Sequence, residues 1–175
     1  MLPETENRPR GASTVTTLLI TRGLPASGKS TYARAWVADD RAHRARVNRD
    51  DLRTMVDDGV FEQGVTEPRI LAARDSLVLA LLGNGLDVIV DDTNLPQRVA
   101  SDLFRLARSA GADFAVEDFT DVPVGLCIER DAARTDKKPI GETVIRDMHA
   151  RFLAGRQLPL PWPADSDAAI AEGNF

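Results

Sequence analysis

One stretch of nine residues, GLPASGKST, combines residue types that together bind phosphate. It matches the pattern G-x-x-x-x-G-K-S, in which glycines let backbone N–H groups face a phosphate at a helix N-terminus. In this pattern Lys29 reaches the β- and γ-phosphates of a nucleotide, and Ser30 binds Mg²⁺. The stretch therefore predicts a P-loop that binds ATP and Mg²⁺ through Gly23, Pro25, Ala26, Ser27, Gly28, Lys29, Ser30 and Thr31.

A second stretch, NRDDLR at 48–53, could receive a phosphate. Asp50 and Arg53 are three residues apart at the start of a predicted helix, so they share one of its faces. A carboxylate there can accept the proton of an attacking hydroxyl, and an arginine beside it can hold a substrate phosphate with its planar fork. The same residues also fit a plain acidic helix start with a surface ion pair.

A third stretch, DDTN at 91–94, follows a predicted strand, where a P-loop enzyme keeps an acid near its magnesium ion. We assign Asp92 to this position and interpret Asp91 as a solvent-facing companion. Asn94 fits the N-cap of the following helix, because Gln97 stands three residues later.

Two arginines further along the chain, Arg130 and Arg134, are four residues apart and share a predicted helix face. The loop 136–139 follows directly. Such an arm could close over ATP and bring an arginine to the charge that develops on the transferred phosphoryl group. A helix face of solvated arginines is the alternative.

Alternating strands and helices must position these stretches. We predict four strands, at 14–22, 45–48, 86–90 and 113–119. We predict helices at 29–39, from about 50, at 67–82 with Thr66 as the cap, after Asn94, at 123–134 and at 142–153. This order favours an α/β fold with a parallel sheet that is covered on both faces and binds ligands beyond the carboxyl ends of its strands. In the last helix, the spacing places four residues inward: Val144, Ile145, Met148 and Phe152.

Composition sets further limits. The 175 residues are 43% apolar, which suits one domain, and the net charge of −5 excludes coating of nucleic acid by bulk charge. A basic patch must therefore be local; the arginines at 41, 44, 46 and 49 could form one, or could belong to a solvated turn. The single Cys127 is expected in the core, and Trp36 and Trp162 in packing roles. We expect a cytoplasmic location, no membrane segment, a flexible leader at 1–13 and a tail at 161–175.

Taken in order, these stretches resemble the 5′-polynucleotide kinases, specifically the kinase domain of the bacteriophage type. The resemblance covers about residues 15–160, through GxPxSGKST at 23–31, NRDDxR at 48–53, DTN at 92–94, VPxxxxxxR at 122–130, Arg134 and the helix at 139–153. It implies a P-loop kinase domain at 14–160, with about four parallel strands in the order 2-3-1-4, helices on both faces and a helical lid at about 123–141.

The resemblance implies transfer of the ATP γ-phosphate to the 5′-hydroxyl of DNA or RNA, whose ends are then the partners. Asp50 is the implied general base, Lys29 and Ser30 bind phosphate and magnesium, and Asp92 supports Ser30 and the metal through water. Arg134 is the implied lid arginine on the phosphoryl group, with Arg130 as its companion on ATP. The implied acceptor-binding residues are Asp50, Arg53, Asp92 and Asn94.

Two features limit the resemblance. The bacteriophage enzyme also has a phosphatase domain after the kinase, with an Asp-x-Asp nucleophile motif, and this chain stops short of such a domain, so we expect no removal of 3′-phosphates. The stretch 58–85 carries little motif, so acceptor contacts could differ there. Two alternatives therefore stay open: a kinase that acts on a modified base, a nucleoside or another small molecule, and a nucleotide-dependent switch without phosphotransfer.

Overall fold

Four parallel strands form the sheet at the centre of the computed structural model, which describes residues 15–135 and 138–160. The predicted leader, the predicted tail with Trp162, and part of the predicted lid loop lie outside the described residues. The strands are β1 (Thr17–Arg22), β2 (Arg44–Val47), β3 (Asp87–Val90) and β4 (Asp113–Asp118). Their order is β2-β3-β1-β4, which confirms the predicted order 2-3-1-4.

Within the described ranges, six helices connect and extend these strands: α1 (Lys29–Asp39), α2 (Arg49–Asp57), α3 (Glu67–Gly83), α4 (Gln97–Ser109), α5 (Val124–Ala132) and α6 (Glu142–Phe152). Side chains that alternate along β1 pack on opposite faces of the sheet. Leu18 and Ile20 lie in the core with α3 and α4, whereas Leu19 lies with Ala33 of α1. None of the helices in the described ranges is long and apolar enough to cross a bilayer.

A third core cluster lies beyond the carboxyl edge of the sheet and holds α5 and α6 against the loops after β1 and β3. Leu24 and Leu95 come from those loops, Cys127 from α5 and Ile145 from α6. Cys127 is fully buried, as predicted, and burial raises the pKa of its thiol. Val144, which we predicted to face inward, is instead 42% exposed, because Ile145 occupies the inward position.

Thr66 stands at the predicted N-cap position of α3 but makes no capping hydrogen bond with its side chain, and the predicted Asn94 cap of α4 is wrong. Thr66 has helical backbone angles, and its hydroxyl accepts from the Glu62 N–H at 2.8 Å, so it stabilises the preceding loop. Helix α4 begins after Pro96, whose φ of −62° suits a helix start. Asn94 adopts a φ of +43° and turns its side chain inward, where the amide donates to the Thr21 carbonyl at 2.8 Å.

The neighbours Ile145 and Val144 provide a matched test of the third cluster. Ile145→Ala leaves a cavity in it, and we expect a loss of about 2–5 kcal/mol in the free energy of unfolding. Val144→Ala should cost less than about 1 kcal/mol, because that side chain is partly solvated. Urea unfolding measures both changes; equal losses would contradict this placement of α6.

Candidate active site

The loop between β1 and α1 has positive φ angles at two positions that are occupied by glycine. Gly23 has a φ of +155°, and a Cβ at this position would lie 2.8 Å from the Phe119 Cβ and 2.9 Å from the Ser27 hydroxyl. Gly28, which precedes α1, has a φ of +109°. The loop is fixed to the end of β3, since the Gly23 N–H donates to the Thr93 carbonyl at 3.0 Å. The two glycines of the motif are therefore conformational requirements.

A cavity of about 550 Å³ opens over this loop. Its lining joins the loop and the first turns of α1 to the end of α5: Ala26, Gly28, Lys29, Ser30, Thr31, Tyr32, Arg130 and Arg134. The structure thus brings Arg130 and Arg134 to the P-loop across a hundred residues of sequence. Gly23, Pro25 and Ser27, also predicted to bind ATP, are not among the lining residues. Tyr32 is a lining residue that the sequence analysis missed, because tyrosine has no place in the motif.

Lys29 is held toward the loop by its own neighbours. It is only 7% exposed, and its ammonium group donates to the Leu24 carbonyl and, at 3.2 Å, to the Ser27 hydroxyl. Both acceptors belong to the loop that Lys29 would use to contact phosphate. The ammonium is thus held at the mouth of the cavity.

Arg134 is oriented by an acid that the sequence analysis also missed. Asp131 is 1% exposed, and its Oδ1 lies 3.2 Å from the Arg134 Nη1. Its Oδ2 accepts from the Gly141 N–H at 2.8 Å, immediately before α6. Asp131, in α5, therefore connects the cavity arginine to the residue that precedes α6. A lone aspartate on a helix carries no motif, so only the fold reveals this contact.

The two acids after β3 face opposite ways. Asp91 is 1% exposed; its Oδ1 accepts from the Ser30 hydroxyl at 3.2 Å and its Oδ2 accepts from the Arg46 Nε at 2.8 Å. Asp92 instead accepts from Arg49, from the backbone N–H at 3.1 Å and from Nε at 3.0 Å. The prediction that Asp92 stands beside Ser30, with Asp91 facing solvent, is therefore wrong. Successive side chains at a strand end project to opposite sides, and it is Asp91 that faces the P-loop.

The pair Ser30 and Asp91 fits a magnesium site. Mg²⁺ is typically held by one or two protein oxygens, with phosphates and waters completing its octahedron. A hydroxyl and a buried carboxylate 3.2 Å apart offer such oxygens at the edge of the cavity. The described residues contain no cluster of three or more His, Cys, Asp or Glu that could hold a metal without a ligand's help. Asp92 is fully engaged by Arg49, and burial raises the pKa of its carboxyl.

The start of α2 carries the predicted acceptor side. Asn48 caps this helix, since its Oδ1 accepts from the Asp51 N–H at 3.1 Å, and its amide also donates to the Asp91 carbonyl. Asp50 follows with a side chain that is 57% exposed, and its Oδ1 accepts from the Arg53 Nη1 at 2.6 Å. Asp50 and Arg53 therefore share a face, as predicted, and more than half of the Asp50 side chain is exposed.

The guanidinium group of Arg53 is already paired with an acid. Its Nε and Nη2 donate to the carboxylate of Glu67, at the start of α3, with 3.0 Å from Nη2 to Oε2. The Arg53 side chain is 14% exposed and that of Glu67 is 10% exposed. The third nitrogen, Nη1, donates to Asp50, so a substrate phosphate would meet only the N–H groups that Glu67 and Asp50 leave. Sequence reasoning missed Glu67, because a single glutamate at a helix start is most simply explained by the helix dipole.

Arg44, Arg46 and Arg49 form neither a free basic patch nor a solvated turn, whereas Arg41 lies exposed in the turn before β2. Arg44 donates to Asp39 at 2.9 Å and its guanidinium carbon lies 4.8 Å from the centre of the Trp36 ring. Arg46 bridges Asp51, at 2.6 Å, and the buried Asp91. Arg49 pairs with Asp92, as described above. Three of the four predicted patch residues therefore neutralise acids of the same domain.

Asn94, predicted to contact the acceptor, is 1% exposed. Its amide donates to the Thr21 carbonyl and joins the ends of β1 and β3. In this position it supports the edge of the sheet, and no part of its amide is presented to the cavity.

Comparison with known proteins identifies a family. Residues 18–159 match the profile of a family described as an AAA domain, which covers most of the chain. An L-seryl-tRNA(Sec) kinase of Methanococcus maripaludis is 29% identical over 138 residues, 77% of this chain and 52% of that protein. A protein of Autographa californica nuclear polyhedrosis virus, which has been proposed to be a bifunctional polynucleotide kinase/RNA ligase, is 26% identical over 149 residues, 78% of this chain and 21% of that protein.

A solved structure of the Pnkp1/Rnl/Hen1 RNA repair complex contains a similar chain. The TM-score is 0.71 and the sequence identity 32%, over 82% of this chain and 46% of that chain. The chain thus spans about half or less of the length of these relatives.

The Glu67–Arg53 pair predicts a dependence of stability on pH. Hydrogen bonding and charge from Arg53 lower the pKa of Glu67 in the folded protein. A lowered pKa contributes stability that is present above the unfolded value, about 4.3, and is lost as the pH falls through the folded value. Glu67→Gln removes this contribution, so we expect a flatter decline in the urea midpoint from pH 5 towards pH 3 than in the wild type. Parallel curves would show that the pair does not stabilise the fold.

Proposed function

Because the chain belongs to the AAA domain family and shares a P-loop kinase fold with its relatives, we propose that it transfers the γ-phosphate of ATP to the 5′-hydroxyl of DNA or RNA. One observation carries this proposal. The P-loop cavity and the Asp50–Arg53 face lie on either side of the Asp91–Asp92 dipeptide at the end of β3. A donor site and an acceptor site are therefore held together by one short segment.

The donor side would bind the triphosphate of ATP. Lys29 and the N–H groups at the start of α1 supply positive charge, and Ser30 with Asp91 would hold Mg²⁺, which neutralises the phosphates when bound. Arg134, fixed by Asp131, would contact the γ-phosphoryl group as its charge spreads in the transition state. Arg130 would bind alongside it.

The acceptor side would activate the hydroxyl. Asp50 accepts the proton of the 5′-hydroxyl as the oxygen forms its bond to the γ-phosphorus. The bond between that phosphorus and the β–γ bridging oxygen breaks, and ADP leaves with the electron pair. Arg53, held by Glu67, donates to the Asp50 carboxylate at 2.6 Å and so orients it toward the incoming hydroxyl. Its remaining N–H groups would contact the phosphate that follows the terminal nucleoside.

A second acceptor class is supported by a specific comparison. The M. maripaludis relative is named as a kinase of seryl-tRNA, whose hydroxyl belongs to an amino acid carried on RNA. The same donor site and the same base could serve that hydroxyl. The choice between the two acceptors depends on what binds beside Asp50.

Label transfer tests the proposal. The protein is incubated with Mg²⁺, γ-labelled ATP and DNA or RNA oligonucleotides that carry a 5′-hydroxyl, and nuclease digestion then locates the label. We expect the label on the 5′-terminal nucleotide. Label transfer to seryl-tRNA alone would favour the second acceptor class, and transfer to neither RNA nor DNA would refute the proposal.

The base role of Asp50 predicts a selective loss. Asp50→Asn should lower turnover by on the order of a hundredfold or more, the scale expected of a lost general base, because the amide cannot accept the hydroxyl proton. ATP binding should persist, since Asp50 does not line the cavity. Asp51→Asn is the matched control, because it changes the next acid of the same helix turn. Equal losses of turnover in both variants would remove Asp50 from the base role.

A further inference from the structure

A cluster of exposed apolar side chains lies beside the proposed acceptor site. It runs from the end of α2 into the loop before α3 and is here called the 55–65 patch: Met55, Val56, Val60, Phe61 and Val65, each between 44% and 74% exposed. In the described part of the chain, these residues belong to none of the three core clusters. Their exposure therefore has no explanation in the packing of the domain.

Phe61 connects this patch to the Asp50–Arg53 face. The Arg53 guanidinium carbon lies 5.3 Å from the centre of the Phe61 ring, and the same guanidinium donates to Asp50 at 2.6 Å. The two bonds to Glu67 hold the guanidinium in this position. A single side chain, Arg53, therefore lies between the proposed general base and an aromatic ring that is 61% exposed.

We propose that Phe61 is the stacking platform for the nucleobase of the acceptor's 5′-terminal nucleotide; this inference rests on the proposed function. A nucleobase offers a flat π-face that stacks on aromatic side chains irrespective of its identity. The 5′-hydroxyl is on the same nucleoside as that base, so a base on Phe61 brings the hydroxyl to the side of Asp50. The guanidinium of Arg53 completes the group of contacts, since it lies against the ring and faces the following phosphate.

The chemistry of the patch favours a base over other occupants. The two arginines nearest to Asp50, Arg49 and Arg53, are both paired with buried acids, which leaves each with little charge for a nucleic-acid backbone. Affinity for the acceptor must then come largely from stacking and apolar contact, and the 55–65 patch is apolar. This role of Phe61 also defines the substrate class. The terminal base must be unpaired, so that it can stack on Phe61 instead of on the next base of its own strand. A hydroxyl on an amino acid or a bare sugar would gain nothing from Phe61.

The test compares two 5′-hydroxyl oligonucleotides that differ only in the terminal residue, which is a nucleoside in one and an abasic tetrahydrofuran in the other. We expect the wild type to favour the base-bearing end by about tenfold or more in kcat/KM, mainly through KM, as expected for one lost stack. Phe61→Leu should abolish this preference, and Phe61→Trp should retain it. Val65→Ala is the matched control, because it removes apolar area from the same patch without removing a ring.

The outcomes separate the platform from the proposed function. Transfer to both ends at equal kcat/KM by the wild type would overturn the platform and leave the kinase proposal intact. Transfer to neither end, by a protein that binds ATP, would overturn both. A Phe61→Leu variant that loses activity equally on both ends would also overturn the platform, because it would show that Phe61 only supports Arg53.

Discussion

Two consecutive carboxylates at the end of β3 determine how this domain is arranged. The side chains of Asp91 and Asp92 leave the strand in opposite directions, so one reaches Ser30 of the P-loop and the other reaches the start of α2. A single peptide bond separates them. The distance and orientation between the cavity and the Asp50–Arg53 face are therefore set by the backbone at the end of a sheet strand, and sites built on strands are more precise than sites on loops.

Burial of these acids explains the arginines around them. The side chains of Asp91 and Asp92 are 0% and 5% exposed, and a buried carboxylate is costly unless a cation and hydrogen bonds compensate its lost hydration. Arg46 and Arg49 supply both. From Arg49 the ion pairs continue through Glu67 and Arg53 to Asp50. Asp50 is thus connected to the end of β3 by a series of alternating charges, in which each charge is compensated by the next.

The features that depend on a local residue pattern could be predicted from the sequence. The P-loop, the shared face of Asp50 and Arg53, and the alternation of strands and helices follow from spacing alone. The choice between Asp91 and Asp92 does not, because adjacent residues differ only in the side of the strand on which they emerge. Glu67 and Asp131 were missed since each is a lone acid whose partner is defined by the fold. The arginines around β2 were misjudged because the acids that pair with Arg44, Arg46 and Arg49 come from other elements or loops.

The division of work between the two acids is the central claim, and paired substitutions measure it. Initial rates of phosphate transfer are recorded for Asp91→Asn and Asp92→Asn while Mg²⁺ and acceptor are varied separately. Asp91→Asn should raise the Mg²⁺ concentration needed for half-maximal rate and leave the acceptor KM near the wild-type value. Asp92→Asn should raise the acceptor KM and leave the Mg²⁺ requirement unchanged, because it loosens Arg49 and the start of α2. The reverse assignment, or the same change in both variants, would contradict the account.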